Sequence, residues 1–360
     1  GEFLKLLDGV PLAPLTARYR DYVEREQAYF RSEEFRKHEE FWMATLSADQ
    51  PALRLPTDRP RPARRTFKGD RVYRTIGRTE TDALKRCSAR SGSSLFMTLF
   101  AAYYVLLQKL TGQEDITVGT TYDARKDDAF RNVIGMFVNT VAVRNRPEQQ
   151  KSFKAFLDEV KRNVLEAFDG QDYPFERIVE RLRLRRDADR NPLFDTMFVY
   201  EPVETESATA GGCTISKYDI RNKTAMFDLS LEILEIGGQL NVSLEYSTDI
   251  YSRETAERYL DCYEKILGHI TPDPAIRLHD IELLSEKEKK RIIEEFNDTA
   301  APYPQDKTLA ALFEAQAGRT PGRPALVCEG RSLTYRELNE RANQIAHELR
   351  QRQTIKPDAI

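Results

Sequence analysis

Apolar residues recur every third or fourth position through residues 19–46, where Phe35, Phe41, Trp42 and Leu46 stand among charged neighbours. That spacing predicts helices with one buried stripe. Residues 51–62 are proline-rich and read as an extended connector, because proline breaks a helix and restricts the residue before it. A strand is expected over 70–76, then an amphipathic helix over 79–89 stopped by Ser91-Gly92. Ser93 or Ser94 caps a helix over 95–110 that is apolar on nearly every face, and a helix like that is buried. Ile116 and Val118 alternate with polar neighbours in a strand over 115–121.

Further on, Phe153, Phe156, Leu157, Val160, Val164, Leu165 and Phe168 mark one face of a long helix, and 193–200 reads as a strand. Phe227, Leu229, Leu231 and Ile233 alternate strictly with polar residues, and Gly237-Gly238 turns the chain into a return strand carrying Leu240, Val242, Leu244 and Tyr246. This is a strong hairpin signal. A helix with Tyr259, Leu260, Tyr263, Ile266, Leu267 and Ile270 closes one α/β domain. Beyond Pro272 and Pro274, a charged surface helix is expected within 280–296, followed by a helix over 309–317, a strand over 325–328 and a helix over 333–350. Roughly 55 residues bury too little surface to close a domain of that type, so the last unit is expected to be a fragment.

One stretch breaks the pattern. Ile134-Gly135-Met136-Phe137-Val138-Asn139-Thr140 runs on through Val141, Ala142 and Val143 to Arg144. It reads as a strand with one buried face, with a polar Asn-Thr pair in its first half. Such a pair costs stability unless it meets partners or a ligand, and Gly135 admits a backbone or a slender ligand at close range. A core strand with a satisfied Asn and a ligand-facing strand are equally open on this stretch alone.

The 360 residues are enough for about two to three domains. With 40% hydrophobic and 31% charged residues, a net charge of −3 and pI near 6.0, the chain is ordinary for a globular protein and carries no nucleic-acid footprint. No run approaches the ~18 apolar residues of a membrane span and there is no signal-peptide pattern, so neither membrane nor nucleic acid is expected as a partner. Cys87, Cys213, Cys262 and Cys328 are scattered without a C-x-x-C pair, which favours reduced thiols and a cytoplasmic setting. His38, His269, His279 and His347 form no H-E-x-x-H, so no metal site is expected.

Three more stretches carry candidate chemistry. Gln171-Asp172-Tyr173-Pro174-Phe175-Glu176 starts a helix, with Pro174 where the first turn tolerates it and Glu176 at the positive end of the dipole. Arg186-Asp187-Ala188-Asp189-Arg190-Asn191-Pro192-Leu193 reads as a salt-bridged loop that positions a strand. Tyr19-Arg20-Asp21-Tyr22 lies on the first long helix as packing plus surface charge. None is a catalytic device alone.

In this order, however, the set resembles the condensation domains of nonribosomal peptide synthetases, with their Y-x-D-Y, I-G-x-F-V-N-T, H-Q-D-x-P-F-E and R-D-x-S-R-N-P-L motifs. Residues 55–62 are similar to the family's Pro-rich segment between lobes. Phe296-Asn297-Asp298-Thr299 and Leu333-Thr334-Tyr335-Arg336-Glu337-Leu338 resemble the linker and first core motif of an adenylation domain. The resemblance implies an α/β fold, a chloramphenicol-acetyltransferase-like lobe of a condensation domain, plus a linker and an incomplete adenylation-domain fragment. It places the end of the condensation N-lobe and the crossing linker at 1–66, the C-terminal lobe at 67–271, a linker at 272–305 and the start of an adenylation domain at 306–360.

By the same resemblance, the intact domain forms an amide between a carrier-tethered aminoacyl or peptidyl thioester and an aminoacyl acceptor, as in antibiotic and other secondary-metabolite synthesis. The substrates ride on phosphopantetheine arms of partner carrier domains. The implied partners are those carriers, an upstream condensation N-lobe and a downstream adenylation domain. No cofactor is implied on this chain itself, and ATP with magnesium only for a complete adenylation domain. Gly135, Phe137, Asn139, Thr140, Gln171 and Asp172 are the implied substrate-tunnel residues. Tyr19, Asp21, Tyr22, Pro174, Phe175, Glu176, Arg186, Asp187, Arg190, Asn191 and Pro192 are motif residues with structural roles. Arg181, Arg183, Arg185 and Arg186 form a basic cluster that either faces solvent or meets an acidic carrier or its phosphate.

The departures from the family pattern matter as much. The H-H-x-x-x-D-G motif, whose second His is catalytic, is absent from these residues. Gly170 stands in place of the family's His, Asp189 in place of Ser, and the Trp usual after Tyr22 is missing. No catalytic residue is therefore expected here, and the N-terminal lobe is expected to be largely missing. A lobe that docks carriers without doing chemistry is the alternative reading. A free-standing acyltransferase is excluded by the missing His motif.

Overall fold

The structure is a computed structural model describing residues 2–46, 50–184, 187–203, 207–210, 212–216 and 222–353. The chain forms two compact units, 1–283 and 284–360. In the first, α1 (Glu2–Leu7), α2 (Tyr19–Tyr29) and α3 (Glu33–Thr45) precede an extended segment, and then come β1 (Gly69–Ile76), α4 (Arg78–Arg90) and α5 (Leu95–Thr111). Next are β2 (Ile116–Asp123), β3 (Val138–Asn145), α6 (Phe153–Asp169), α7 (Phe175–Arg181) and β4 (Thr196–Val203). A small hairpin of β5 (Ser207–Ala210) and β6 (Cys213–Ser216), then β7 (Leu229–Ile236), β8 (Gln239–Ser247) and α8 (Arg253–Ile270), complete the unit. Ser32, Ser94, Ser152 and Ser252 cap α3, α5, α6 and α8, each hydroxyl accepting a first-turn backbone N–H.

One six-stranded mixed sheet, in the order β1-β8-β7-β4-β2-β3, forms the scaffold. The pairs β7–β4 and β4–β2 are parallel and the others antiparallel. The β7–β8 turn works because Gly237 and Gly238 both take positive φ, as its twist requires. The core lies against α5, whose residues from Thr98 to Gln108 are buried without a break, as its all-round apolar sequence requires. Phe100 stacks on Phe198 of β4 with ring centres 4.8 Å apart. Two of the buried tyrosines spend their hydroxyls on backbone carbonyls: Tyr104 donates to Val143 at 2.6 Å and Tyr263 to Leu99 at 2.9 Å.

The structure corrects three expectations. The strand containing the Asn-Thr pair begins at Val138, so 134–137 lies ahead of it. Ala142 is as buried as Val141 and Val143, because the C-terminal end of α3 lies over the other face, where Thr45 accepts a bond from Arg144 at 3.1 Å. The strand expected over 193–200 is displaced to Thr196–Val203, since Leu193 adopts a left-handed backbone (φ 70°) inside the preceding loop.

That loop is held by buried charge. Arg190 pairs with Asp195 at 2.6 Å, and the backbone N–H of Asn191 donates to the same carboxylate at 3.2 Å. Arg61, from the proline-rich segment, pairs with Asp228, and Arg65 donates to the side chain of Asn191 at 2.6 Å. Burial, and then the neighbouring Asp228, push the Asp195 carboxyl above its usual range. The ion pair on this loop joins Arg190 to Asp195, two residues beyond the motif. Asp187 is described but Arg186, with Arg185, lies outside the described residues.

The second unit contains α9 (Glu286–Lys290), continued by a π-helical turn, then α10 (Leu309–Arg319), a hairpin of β9 (Pro324–Cys328) and β10 (Arg331–Thr334), and α11 (Tyr335–Arg352). Reciprocal capping by Thr334 and Glu337 starts α11 directly after the strand. No single helix among the described residues is long and apolar enough to cross a membrane.

At the ends of β2 and β3, Arg144 forks onto Asp115 at 2.6 and 2.7 Å. The hydrogen bond from Arg144 holds the Asp115 carboxyl below its usual range. A lowered folded-state pKa gives stability that is present above the unfolded value near 3.9 and lost as pH falls through the folded one. Asp115→Asn is expected to cost about 1 kcal/mol at neutral pH, with a difference from the parent that shrinks in acid denaturation below about pH 4. Urea melts at several pH values measure this.

Candidate functional site

Three of the motifs meet in space because each supplies what another lacks. At the start of α2, Asp21 accepts the backbone N–H of Arg18 at 2.8 Å and caps the helix. Tyr19 and Tyr22, three apart, therefore share a face. Both rings meet Phe137, at centre distances of 5.3 and 4.7 Å, and Tyr22 also meets Phe130 at 5.7 Å. The Tyr19 hydroxyl donates to the carbonyl of Met136 at 3.0 Å. Gly135 is glycine for this reason: a Cβ there would lie 2.1 Å from the Tyr19 ring. The close approach expected at Gly135 is made by a tyrosine of the first motif.

The chain alternates as it crosses this cluster. Phe137 is buried at 2% exposure, while Ile134, Met136 and Val138 face outward at 90, 74 and 54%. Phe137 carries the Arg125 guanidinium over its ring at 4.3 Å.

Asn139 is fully engaged. Its amide donates to the carbonyls of Gln171 (2.7 Å) and Tyr173 (3.2 Å), and its oxygen accepts the N–H of Thr140 at 2.8 Å. The loop it grips is held from other sides as well. Trp42 donates to the carbonyl of Gly170 at 2.9 Å, Tyr173 donates to Glu39 at 2.9 Å, and Lys126 pairs with Asp172 at 2.5 Å. Where the family carries His, a Cβ on Gly170 would sit 3.1 Å from the Trp42 indole nitrogen and 3.3 Å from Phe41, so these rings fill the space.

These clamps leave an open cleft of about 480 Å³ between α2, the segment 124–139 and the loop before α7. Of the residues picked from sequence, Phe137, Asn139, Gln171 and Asp172 line it, with Tyr19, Tyr22, Pro174 and Glu176. Gly135 and Thr140 do not. Asp21 is spent on the helix cap and Phe175 packs on Phe194 at 5.4 Å. Asp187, Arg190, Asn191 and Pro192 border a separate cavity beside Leu53. Among the basic residues, Arg181 pairs with Glu39 and Arg177 with Glu180, beside Arg183 in another groove.

Sequence reasoning passed over Glu26, Tyr29, Lys126 and Phe130, which also line the cleft. Glu26 and Tyr29 stand four and seven positions beyond Tyr22, so helical periodicity alone puts them on its face. Burial, reinforced by Glu26, pushes the Tyr22 hydroxyl up to about 12, and burial raises Tyr29 as well. The Glu26 carboxyl is raised by burial and then by Glu176. Burial pulls the Lys126 ammonium down, but the bond and charge of Asp172 outweigh it and the net shift is upward. An aromatic wall facing polar groups at the opposite lip suits a slender chain that mixes amide and apolar parts.

The family model described as Condensation domain matches residues 3–293, and one described as AMP-binding enzyme matches 313–360. The chain belongs to the condensation-domain family. Its condensation region and the start of its AMP-binding region are similar to gramicidin S synthase 2 of Brevibacillus brevis, 43% identical over 98% of this chain and 8% of that protein. Tyrocidine synthase 3 of Brevibacillus parabrevis is 44% identical over 97% of this chain and 5% of its own length. The chain thus spans less than a tenth of either relative. Among solved structures, a four-domain nonribosomal peptide synthetase, holo-AB3403 bound to AMP and glycine, shares the fold at TM-score 0.75 and 24% identity, over 90% of this chain and 25% of that one. The condensation domain of the Monacolin K polyketide synthase MokA does so at TM-score 0.68 and 21% identity, over 77% and 66%.

The condensation-domain cleft depends on the Tyr19–Gly135 contact, and this is testable. Gly135→Ala is expected to destabilise by about 1–3 kcal/mol through overpacking. In the background of Tyr19→Ala the same change is expected to cost almost nothing, because the clashing ring is gone. Chemical melts of the four proteins decide it, and strict additivity would show that the two residues do not press on each other.

Proposed function

We propose that the cleft is a stretch of the path by which a carrier-borne arm reaches the reaction centre of a peptide-forming condensation domain. In that reaction the acceptor amine attacks the donor thioester carbonyl: a C–N bond forms, the C–S bond breaks, the donor thiol leaves and the amine gives up a proton. Holding two tethered reactants together supplies much of the rate, and one group must manage the proton. The observation that carries the reading is the convergence of motif segments 19–22, 134–139 and 171–176 on one open, partly apolar cleft. Family membership and an AMP-binding start directly after the condensation region support it.

Within this reading Asn139 shapes the path, since its amide is spent on the 171–173 backbone. Contact with the arm falls to the outward-facing Met136 and Val138 and to the lip at Gln171 and Asp172. The partners are carrier domains bearing phosphopantetheine, a condensation N-lobe and a complete adenylation domain, which is where ATP and magnesium act.

Two outcomes test this. In an active parent module, Met136→Trp fills the cleft from an exposed position. Amide formation between loaded carriers is expected to fall at least ~10-fold, with the melting temperature and amino-acid adenylation unchanged. An unchanged rate would remove the cleft from the path. The 360-residue chain by itself contains neither the H-H-x-x-x-D-G motif nor a Gly/Ser/Thr-rich phosphate loop. It is expected to give no amide from loaded carriers and no ATP–pyrophosphate exchange, and turnover in either assay would contradict that assignment of roles.

A further inference from the structure

The proline-rich stretch reads as a connector in sequence, yet in the fold it is bonded to the sheet unit along its length. Gln50 accepts the Thr117 hydroxyl at 2.7 Å, and the Arg54 N–H donates to the Gln113 side chain at 2.7 Å. The Asp58 carboxylate accepts the Ser252 N–H at 2.7 Å and the Thr255 hydroxyl at 2.8 Å, on the positive first turn of α8. Arg59 donates to the carbonyl of Thr248 at 2.7 Å, and the N–H groups of Asp58 and Arg59 both donate to the carbonyl of Ile250, at 3.0 and 3.3 Å. Leu53 and Leu55 are buried. Pro56, Pro60 and Pro62 lower the entropy that this ordering costs.

The helices before the connector belong to the same body. At the end of α3, Trp42 and Leu46 are buried in the core. Tyr19 and Tyr22 seat α2 on Phe137, and Ala17 is buried with Phe130, Val133 and Phe137. Upstream of Ala17 the anchoring stops. Residues 8–16 are all exposed, and among the described residues 11–17 make no hydrogen bond. Pro11 and Pro14 bring no N–H and keep the segment out of a helix. Gly9 takes a φ of 70° just past the end of α1, and α1 packs against β5 of the small hairpin, which is not part of the six-stranded sheet. Exposed backbone without hydrogen bonds is the part of a fold that opens at least cost.

We infer that residues 17–66 move with the six-stranded sheet as one body, and that 8–16 is the swivel on which α1 turns. The connector is then a strap, and the body begins at Ala17, well ahead of the boundary at 66 read from the motifs. All three walls of the cleft, α2, the segment 124–139 and the loop before α7, lie within this body. The cleft therefore keeps its width when α1 turns. In a two-lobed parent, reorientation of the N-lobe is taken up at 8–16 and not in the proline-rich stretch. The inference stands on packing and hydrogen bonds and does not depend on what the cleft carries.

Hydrogen exchange of the 360-residue chain, read by mass spectrometry, is the first test. The amides within 11–17 are expected to exchange at close to the unfolded-chain rate, and those of Asp58 and Arg59 at least ~100-fold more slowly. Similar protection of the two segments, or faster exchange in the connector, would overturn the inference. Distances between spin labels are the second test. Cys87 and Cys262 are buried, so Cys213→Ser and Cys328→Ser leave no exposed thiol to compete. Labels on Lys37→Cys and Arg131→Cys, both inside the body, are expected to give a narrow distance distribution. Labels on Lys5→Cys and Lys37→Cys, on either side of 8–16, are expected to give one at least ~2-fold broader. Equal widths would overturn the swivel, and the reading of the cleft as a substrate path would survive that result.

Discussion

The Tyr19 ring occupies the space where any residue other than glycine at position 135 would place its Cβ. That single steric fact fixes much of the cleft. With Gly135 under the ring and the Tyr19 hydroxyl on Met136, the backbone is held so that Phe137 turns inward among Tyr22 and Phe130. Ile134, Met136 and Val138 are then obliged to face outward. The same geometry delivers Asn139 to the loop before α7, and its amide fixes the far lip through two backbone carbonyls. A satisfied amide in a partly buried strand contributes modestly when made and costs about 1–3 kcal/mol when broken, so this polar residue is better kept than replaced by an apolar one.

Much of the scaffold was readable because its periodicities are clean. An apolar helix at 95–111 has one sensible place, the core, and strict alternation around Gly237-Gly238 leaves one sensible pairing. Local signals mislead where tertiary contact overrides them. Residues 134–137 look like strand by composition, but Tyr19 takes the approach a neighbouring strand would need. Ala142 reads as half of an alternating pair, yet α3 covers its face, and no local pattern announces which helix will cross a strand.

The site was legible in a different way. Order and identity of the motifs picked out segments that the fold brings together around one cleft, while the partners of their polar groups came from elsewhere in the chain. Asn139 and Gly135 looked like ligand contacts and are instead the contacts by which one motif holds another. Among the polar groups of the cleft with no hydrogen bond or ion pair in the described residues, Glu26 and Glu176 sat in positions that sequence spacing described only as a helix face and a helix start. Spent and unspent polar groups differ by hydrogen-bond partners from distant parts of the chain, such as Trp42 for Gly170 and Lys126 for Asp172. That information exists only once the chain is folded.

The cleft as a substrate path is the central claim, and the direct measurement is a crystal structure of a condensation domain carrying these motifs with a stable aminoacyl-pantetheine amide bound. The account predicts density for the arm within about 4 Å of the residues matching Met136, Val138 and Asp172, with the Asn139 clip intact. An arm that reaches the reaction centre by another route, leaving this cleft to solvent, would contradict it.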